Sequence, residues 1–386
     1  MFSRRTEWEM TPNRLSTAIV EARAYGGEIL DLTISNPTRA GIMYDRAAIL
    51  DSLRTERALD YDPQPKGLLA AREAVAKYYA ERGEHVDAEG LFLASGTSEG
   101  YSYLFRLLAN PDDEILIPAP SYPLFEFLAD LDDVRLVPYS LIYDHGWQID
   151  FHSLANAITP RSRAIGVLNP NNPTGSYVSA KERDTLNGIC KAHRLALIAD
   201  EVFLDYSHDR KRRSTFASNQ EVLTFTLSGL SKISALPQMK LAWTAVSGPE
   251  SDRTEAQQRL EVIVDSYLSV GAPVQWAAAS LLVQSEDIQQ QLFERISANL
   301  RELDRQLDSQ RACTRLLVEG GWYAILRVPV TQSDEDLAIQ LLQEHRVLVH
   351  PGHFYDFPSD GYVVLSLIGS TAEFREGTSR LLRFLR

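Results

Sequence analysis

The chain reads as an α/β protein whose larger part is a mostly parallel sheet of about seven strands flanked by helices. Three observations predict this. Short apolar runs recur at Leu91–Ala94, Glu114–Ile117, Val134–Val137, Ala164–Leu168, Ala196–Ala199, Leu223–Leu227 and Ala242–Val246. Helix-period stretches lie between several of them, such as Tyr101, Leu104, Phe105 and Leu108 at i, i+3, i+4 and i+7. After residue 285 the pattern changes to one long polar helix followed by mixed strands and helices.

Each element follows from its residues. The seven runs are short and nearly continuous in apolar content, as strands buried on both faces are. Residues 286–310 form an amphipathic helix rich in Gln, Glu and Arg. Beyond it, Leu316–Val318, Tyr323–Val328, Val347–Val349 and Tyr362–Leu367 read as strands, with helical patterns at 334–345 and 371–385. The expected division is a large domain over residues 46–285 and a smaller α+β domain from residues 1–45 and 286–386. The N-terminal segment packs on the smaller unit or crosses to a partner.

A length of 386 residues, 44% of them hydrophobic and 24% charged, gives enough apolar material for a sizeable core. The net charge of −13 disfavours nucleic acid and anionic membrane surfaces as partners. Arg210-Lys211-Arg212-Arg213 is an isolated basic run without interleaved aromatics, and reads as a solvated loop. Two distant cysteines, Cys190 and Cys313, suggest neither disulfide framework nor zinc site. The polar N-terminus and the lack of a long apolar run make the cytoplasm the expected compartment.

Ligands of open α/β sheets bind at the carboxyl ends of the strands. Four segments there carry chemistry. Ser95-Gly96-Thr97-Ser98 opens a helix with small residues and hydroxyls, which suits a phosphate; a plain capped turn would look the same. Asn169-Pro170-Asn171-Asn172-Pro173-Thr174-Gly175 has two Asn-Pro steps in seven residues and presents Asn172 rigidly. Asp200-Glu201 ends a very apolar strand, where a carboxylate is costly unless a cation or donors meet it. Ser228-Gly229-Leu230-Ser231-Lys232 places a lysine after another apolar strand, where burial can activate an amine.

Their order, together with Asp200-Glu201-Val202 and the SGLSK segment, resembles the class I/II aminotransferases of pyridoxal 5′-phosphate (PLP) fold type I. The resemblance runs from Leu32-Thr33-Ile34-Ser35-Asn36-Pro37 to Gly361-Tyr362-Val363. It implies that Lys232 forms the internal Schiff base and shuttles the Cα proton. Asp200 pairs with the pyridine nitrogen, Asn172 bonds the 3′ oxygen and Tyr122 stacks on the ring. Ser95, Gly96, Thr97, Ser98, Ser231 and Lys240 hold the phosphate. Tyr61 reaches the phosphate of a neighbouring subunit, which makes the active unit a homodimer with shared sites. A ping-pong transfer between an amino acid or amine and a 2-oxo acid is the implied activity.

Departures from the pattern bear on that reading. Phe203 stands where the family carries a tyrosine, Gly229 where it carries a serine, and Lys240 where it carries an arginine. Val364 occupies the position of the arginine that grips the substrate carboxylate. Arg39 is the alternative cation, and Asn36 and Arg39, on one loop, are the candidate substrate-binding residues. These departures leave other outcomes open: a PLP-dependent lyase, decarboxylase or racemase, or a non-catalytic PLP-binding module. His350-Pro351-Gly352-His353 lacks a third ligand at suitable spacing, so no metal is expected; it reads as a loop over the site, lined by Phe354 and Tyr355. Neither G-x-G-x-x-G nor G-x-x-x-x-G-K-[ST] is present, which argues against a nucleotide-binding dehydrogenase.

Overall fold

The computed structural model describes residues 1–122, 125–211 and 213–385. Arg212, in the basic run, lies outside them. The described strands are β1 (Leu30–Asp31), β2 (Leu91–Ala94), β3 (Glu114–Ala119), β4 (Arg135–Tyr143), β5 (Trp147–Ile149), β6 (Ser162–Leu168), β7 (Ala196–Asp200), β8 (Thr224–Gly229), β9 (Ala242–Ser247), β10 (Thr314–Arg315), β11 (Tyr323–Arg327), β12 (Val347–Leu348), β13 (His350–Pro351) and β14 (Tyr362–Ser366).

The central sheet has eight strands in the order β2-β9-β8-β7-β6-β3-β4-β5. Pairs β3–β4, β3–β6, β6–β7 and β7–β8 are parallel. β9 is antiparallel to both neighbours, and β5 returns antiparallel along β4. All seven apolar runs are therefore strands of one mostly parallel sheet. The eighth strand, β5, is three residues long with Gln148 at its centre, so no apolar run announces it.

Alternate residues of the strands feed two cores, as the period of two requires. Leu116, Ile165, Val167, Leu197 and Ala199 face one side; Ile115, Ala164, Leu168, Ala196 and Ile198 face the other. Helices Thr97–Leu108 and Glu250–Asp265 cover the second face, burying Leu104, Phe105 and Leu260 against it. Leu186 and Cys190 of helix Ala180–His193 cover the first.

After the long helix Ser285–Leu307, a four-stranded antiparallel sheet forms in the order β10-β11-β14-β13. β1 pairs in parallel with β12, residues 30–31 against 347–348. Helix Arg14–Ala24 packs on helix Asp334–His345, and the Arg346 guanidinium donates to the carbonyls of Ala22, Gly26 and Gly27 at 2.8–2.9 Å. The N-terminal segment is thus tied to the C-terminal unit. One expectation needs correction. The strand expected at Leu316–Val318 is displaced to Thr314–Arg315, because the Leu317 N–H turns away to the Tyr143 hydroxyl at 3.0 Å. The strand expected at Val347–Val349 is present as Val347–Leu348 and pairs with β1.

Candidate active site

Strand register brings the four chemical segments to one edge. Ala94 of β2 lies opposite Ala242 of β9, and Ala242 lies opposite Gly229 of β8. The loops after Ala94 and Gly229 therefore flank Lys240 and Leu241, which lead into β9. On the next strands, Leu168 lies opposite Asp200 and Asp200 opposite Leu227. The Asn169 loop, Asp200 and the Lys232 turn thus emerge side by side at carboxyl ends, the position where open sheets bind ligands.

Asp200 is 9% exposed. Its carboxylate accepts from the Tyr101 hydroxyl at 3.2 Å and the Val202 N–H at 3.1 Å. Burial pushes its pKa up to about 6, although these bonds and the charge of Lys232 pull it down. Lys232 follows on the short helix Leu230–Ile233, and its carbonyl is held by the Tyr206 hydroxyl at 2.8 Å. Burial lowers its amine below the ordinary lysine value against the pull of Asp200. The Nζ atom lies 5.3 Å from the Trp322 ring centroid and 5.6 Å from that of Phe203. A desolvated amine near a carboxylate exists more readily in its uncharged, nucleophilic form than a surface lysine does. Phe203 brings no phenol to this point; it packs on Trp322 and Tyr323 instead.

The Asn169–Gly175 loop is fixed from within and from beneath. Asn171 donates to the Pro120 carbonyl and the Thr174 hydroxyl at 3.1 and 2.9 Å. Beneath it lies Glu201, 1% exposed, which sequence reasoning noted only as the neighbour of Asp200. Glu201 accepts from Asn169 Nδ2 at 3.1 Å, the Phe216 N–H at 2.8 Å and the Thr215 hydroxyl. Burial raises its pKa to about 7. Glu201→Ala leaves the Phe216 N–H and the Thr215 hydroxyl without this acceptor in the interior and Asn169 Nδ2 with only the Ser214 carbonyl, and we expect a loss of about 3 kcal/mol of unfolding free energy, read from urea midpoints.

Asn172, 8% exposed, is different: its Oδ1 has no hydrogen-bond partner although it is buried. Tyr122, 39% exposed, stands above Phe125, ring centroids 6.4 Å apart, and its hydroxyl pKa is raised by burial and by the charge of Asp200.

At the far end, helix Thr97–Leu108 begins after Gly96 with no side-chain cap. The Ser95 N–H is taken by Glu99 at 2.7 Å, so the open donors are the helix-end amides and the hydroxyls of Thr97 and Ser98. A Cβ at Gly96 would stand 3.3 Å from Lys240 Nζ, so this ammonium lies against the bare backbone at the helix start. That combination suits a dianion. Gly229 has its own reason: a Cβ there would meet Ala242 Cα and the Leu241 carbonyl at 2.9 Å, so a serine does not fit without moving β9.

Other sequence candidates lie apart. Tyr61 is 85% exposed on a loop that shares a cleft with Arg57, Leu268 and Trp276, not with Lys232. The Asn36 side-chain oxygen caps the turn Pro37–Arg39, accepting from the Thr38 N–H at 3.0 Å and its hydroxyl at 2.7 Å. Arg39 is exposed on that turn. Val364 is fully buried, opposite Ile325 and His350. The His350 ring is 3.0 Å from the Tyr355 hydroxyl, and burial lowers its pKa to about 4.

The family model described as aminotransferase class I and II matches residues 29–381. The chain belongs to the class I and II aminotransferases. It is similar to the glutamate–pyruvate aminotransferase of Escherichia coli K12, 25% identical over 368 residues, with 93% of this chain and 91% of that one covered. It is 27% identical to the arginine–pyruvate transaminase of Pseudomonas aeruginosa, with 92% and 90% covered. In fold it is similar to the alanine aminotransferase of Pyrococcus furiosus, with a TM-score of 0.89 at 20% identity and 100% and 99% of the chains covered.

This aminotransferase is a PLP-dependent enzyme of fold type I. Its residues fit the cofactor on their own terms. Among the described residues, a buried amide oxygen at Asn172 lacks a partner, a desolvated carboxylate at Asp200 lacks a contact cation, and Lys240 lies against an uncapped helix start.

Proposed function

We propose that Lys232 carries the cofactor, and that the protein uses it to move an amino group between an amino acid or amine and a 2-oxo acid. The observation that carries this reading is the pairing of a desolvated lysine with a desolvated aspartate at the carboxyl edge of the sheet. When bound, PLP supplies an electron sink that makes the hydrogen on the amino-bearing carbon acidic. Lys232 would take that proton from the amino-bearing carbon of the substrate, because burial makes its amine a readier acceptor than a surface lysine and its backbone is held on a rigid turn.

Asp200 stabilises a cationic nitrogen, with Tyr101 and the Val202 amide holding the carboxylate in place. Asn172 positions a ring oxygen, and Tyr122 covers the ring face. Ser95, Gly96, Thr97, Ser98, Ser231 and Lys240 hold the phosphate. Phe203 and Trp322 keep water from the Lys232 amine. The glutamate–pyruvate and arginine–pyruvate transfers of the relatives suggest pyruvate as one 2-oxo acid to try.

Tyr61, exposed in a single chain, serves a neighbouring subunit, so the active unit is a homodimer. No helix among the described residues is long and apolar enough to cross a membrane, and the cytoplasm is the proposed compartment. The division of the chain at residues 45 and 285 is the proposed domain boundary.

The test is a half-reaction. Protein purified with PLP is mixed with single amino acids, and the visible spectrum is followed. Conversion of the bound cofactor to its amino form, reversed by pyruvate or another 2-oxo acid, supports the reading. Release of ammonia or carbon dioxide without that conversion contradicts it.

A further inference from the structure

We infer that Arg39, on the N-terminal turn, is the specificity residue that grips the substrate carboxylate. The inference rests on the aminotransferase reading above. An amino acid bound at Lys232 brings a carboxylate into a partly desolvated space, where it needs a cation or several donors.

The wall beside Lys232 offers no cation among the described residues. It runs from Phe203 and Trp322 to Tyr323, whose ring lies 6.5 Å from that of Phe203, then to Tyr355 at 6.3 Å from Tyr323, then to His350. His350 stands opposite Val364, and both share a face with Tyr323 and Ile325. Val364 is fully buried, His350 is held neutral by burial, and the Tyr355 hydroxyl is occupied by His350.

Other cations around the site are committed. Lys240 lies at Gly96. Arg295 donates to the carbonyls of Ala40, Ile368 and Gly369. Arg327 lies four residues along β11 from Tyr323, about 13 Å away, between the Tyr143 and Tyr362 rings. Arg57 sits over Trp276 in the cleft with Tyr61.

Arg39 differs from all of these. Its guanidinium is exposed and has no hydrogen bond or ion pair among the described residues. Its turn is anchored to the wall: Ser366 donates to the carbonyls of Leu32 and Ile34, and the Ser35 side chain lies against the Tyr323 hydroxyl. Buried Pro37 and the Asn36 cap then stiffen the turn that carries Arg39. A planar fork on a turn that starts beside this neutral wall suits a carboxylate whose uncharged side chain lies on the aromatic rings.

The test uses the PLP-loaded enzyme with matched donors, L-phenylalanine and 2-phenylethylamine, and measures binding of the unreactive acid 3-phenylpropionate by calorimetry. Arg39→Gln is expected to raise KM for the amino acid and the Kd of 3-phenylpropionate by roughly tenfold to a hundredfold. It should leave kcat, and both constants for the amine, unchanged, and Arg39→Lys should restore part of the loss. Equal losses for amine and amino acid, or none for either, overturn the assignment. So does a wild-type preference for the amine, which means that the neutral wall receives a donor without a carboxylate. Should L-phenylalanine, L-alanine, L-glutamate and 2-phenylethylamine all fail to convert the cofactor in the wild type, the aminotransferase reading falls and this inference with it.

Discussion

Lys232→Ala is expected to lower turnover by at least about 10⁴-fold, since on the reading proposed above it removes both the tethering amine and the base that moves the proton. The fold should survive. The side chain is half-buried and makes no hydrogen bond to another side chain among the described residues, while its backbone is held by the Tyr206 hydroxyl. PLP should still bind, through Asp200, Asn172 and the helix start, but its spectrum should lack the lysine-linked band. Single-turnover absorbance and equilibrium dialysis read the two effects separately. Normal turnover in this variant sinks the assignment of Lys232.

Asp200→Asn carries the second large effect, in two directions. Activity should fall by about 10²–10³-fold, because a neutral amide no longer stabilises a cationic nitrogen. Stability of the cofactor-free protein should rise. The Asp200 pKa is about 6 in the folded chain against an ordinary 3.8, so the folded state binds the extra proton between those values. The penalty is absent below about pH 4, grows from pH 4 to 6 and is complete above 6, on the order of 3 kcal/mol. Urea unfolding at pH 7.5 should therefore show the variant more stable than wild type, and at pH 3.5 the two should agree. PLP supplies the missing counter-charge, so its addition should reverse the order at pH 7.5. An unchanged rate would mean that another acid faces the cofactor.

These opposed effects explain why much of the site was legible in the sequence. A carboxylate at the end of Leu195–Ala199 and a lysine after Leu223–Leu227 are costly in an apolar setting, and such cost leaves a mark in composition. The large sheet was legible for a related reason: strands buried on both faces are apolar throughout, and all seven appear as runs. What escaped was structure without an apolar mark. β5 and β13 are two or three residues long, and the β1–β12 pairing joins segments more than three hundred residues apart. Glu201 was passed over as a neighbour because its role depends on Asn169, Thr215 and Phe216 meeting in space. Gly229 read as a lost hydroxyl, whereas the close approach of Ala242 and Leu241 leaves no room for one.

The central claim is that this chain holds its cofactor through one particular amine. Borohydride reduction of the PLP-loaded protein fixes that linkage, and peptide mass spectrometry then locates it. The account predicts a pyridoxyl group on Lys232 and none elsewhere, lost in Lys232→Ala. A modified Lys240 or other lysine, or no modified lysine in protein that binds PLP, would contradict it.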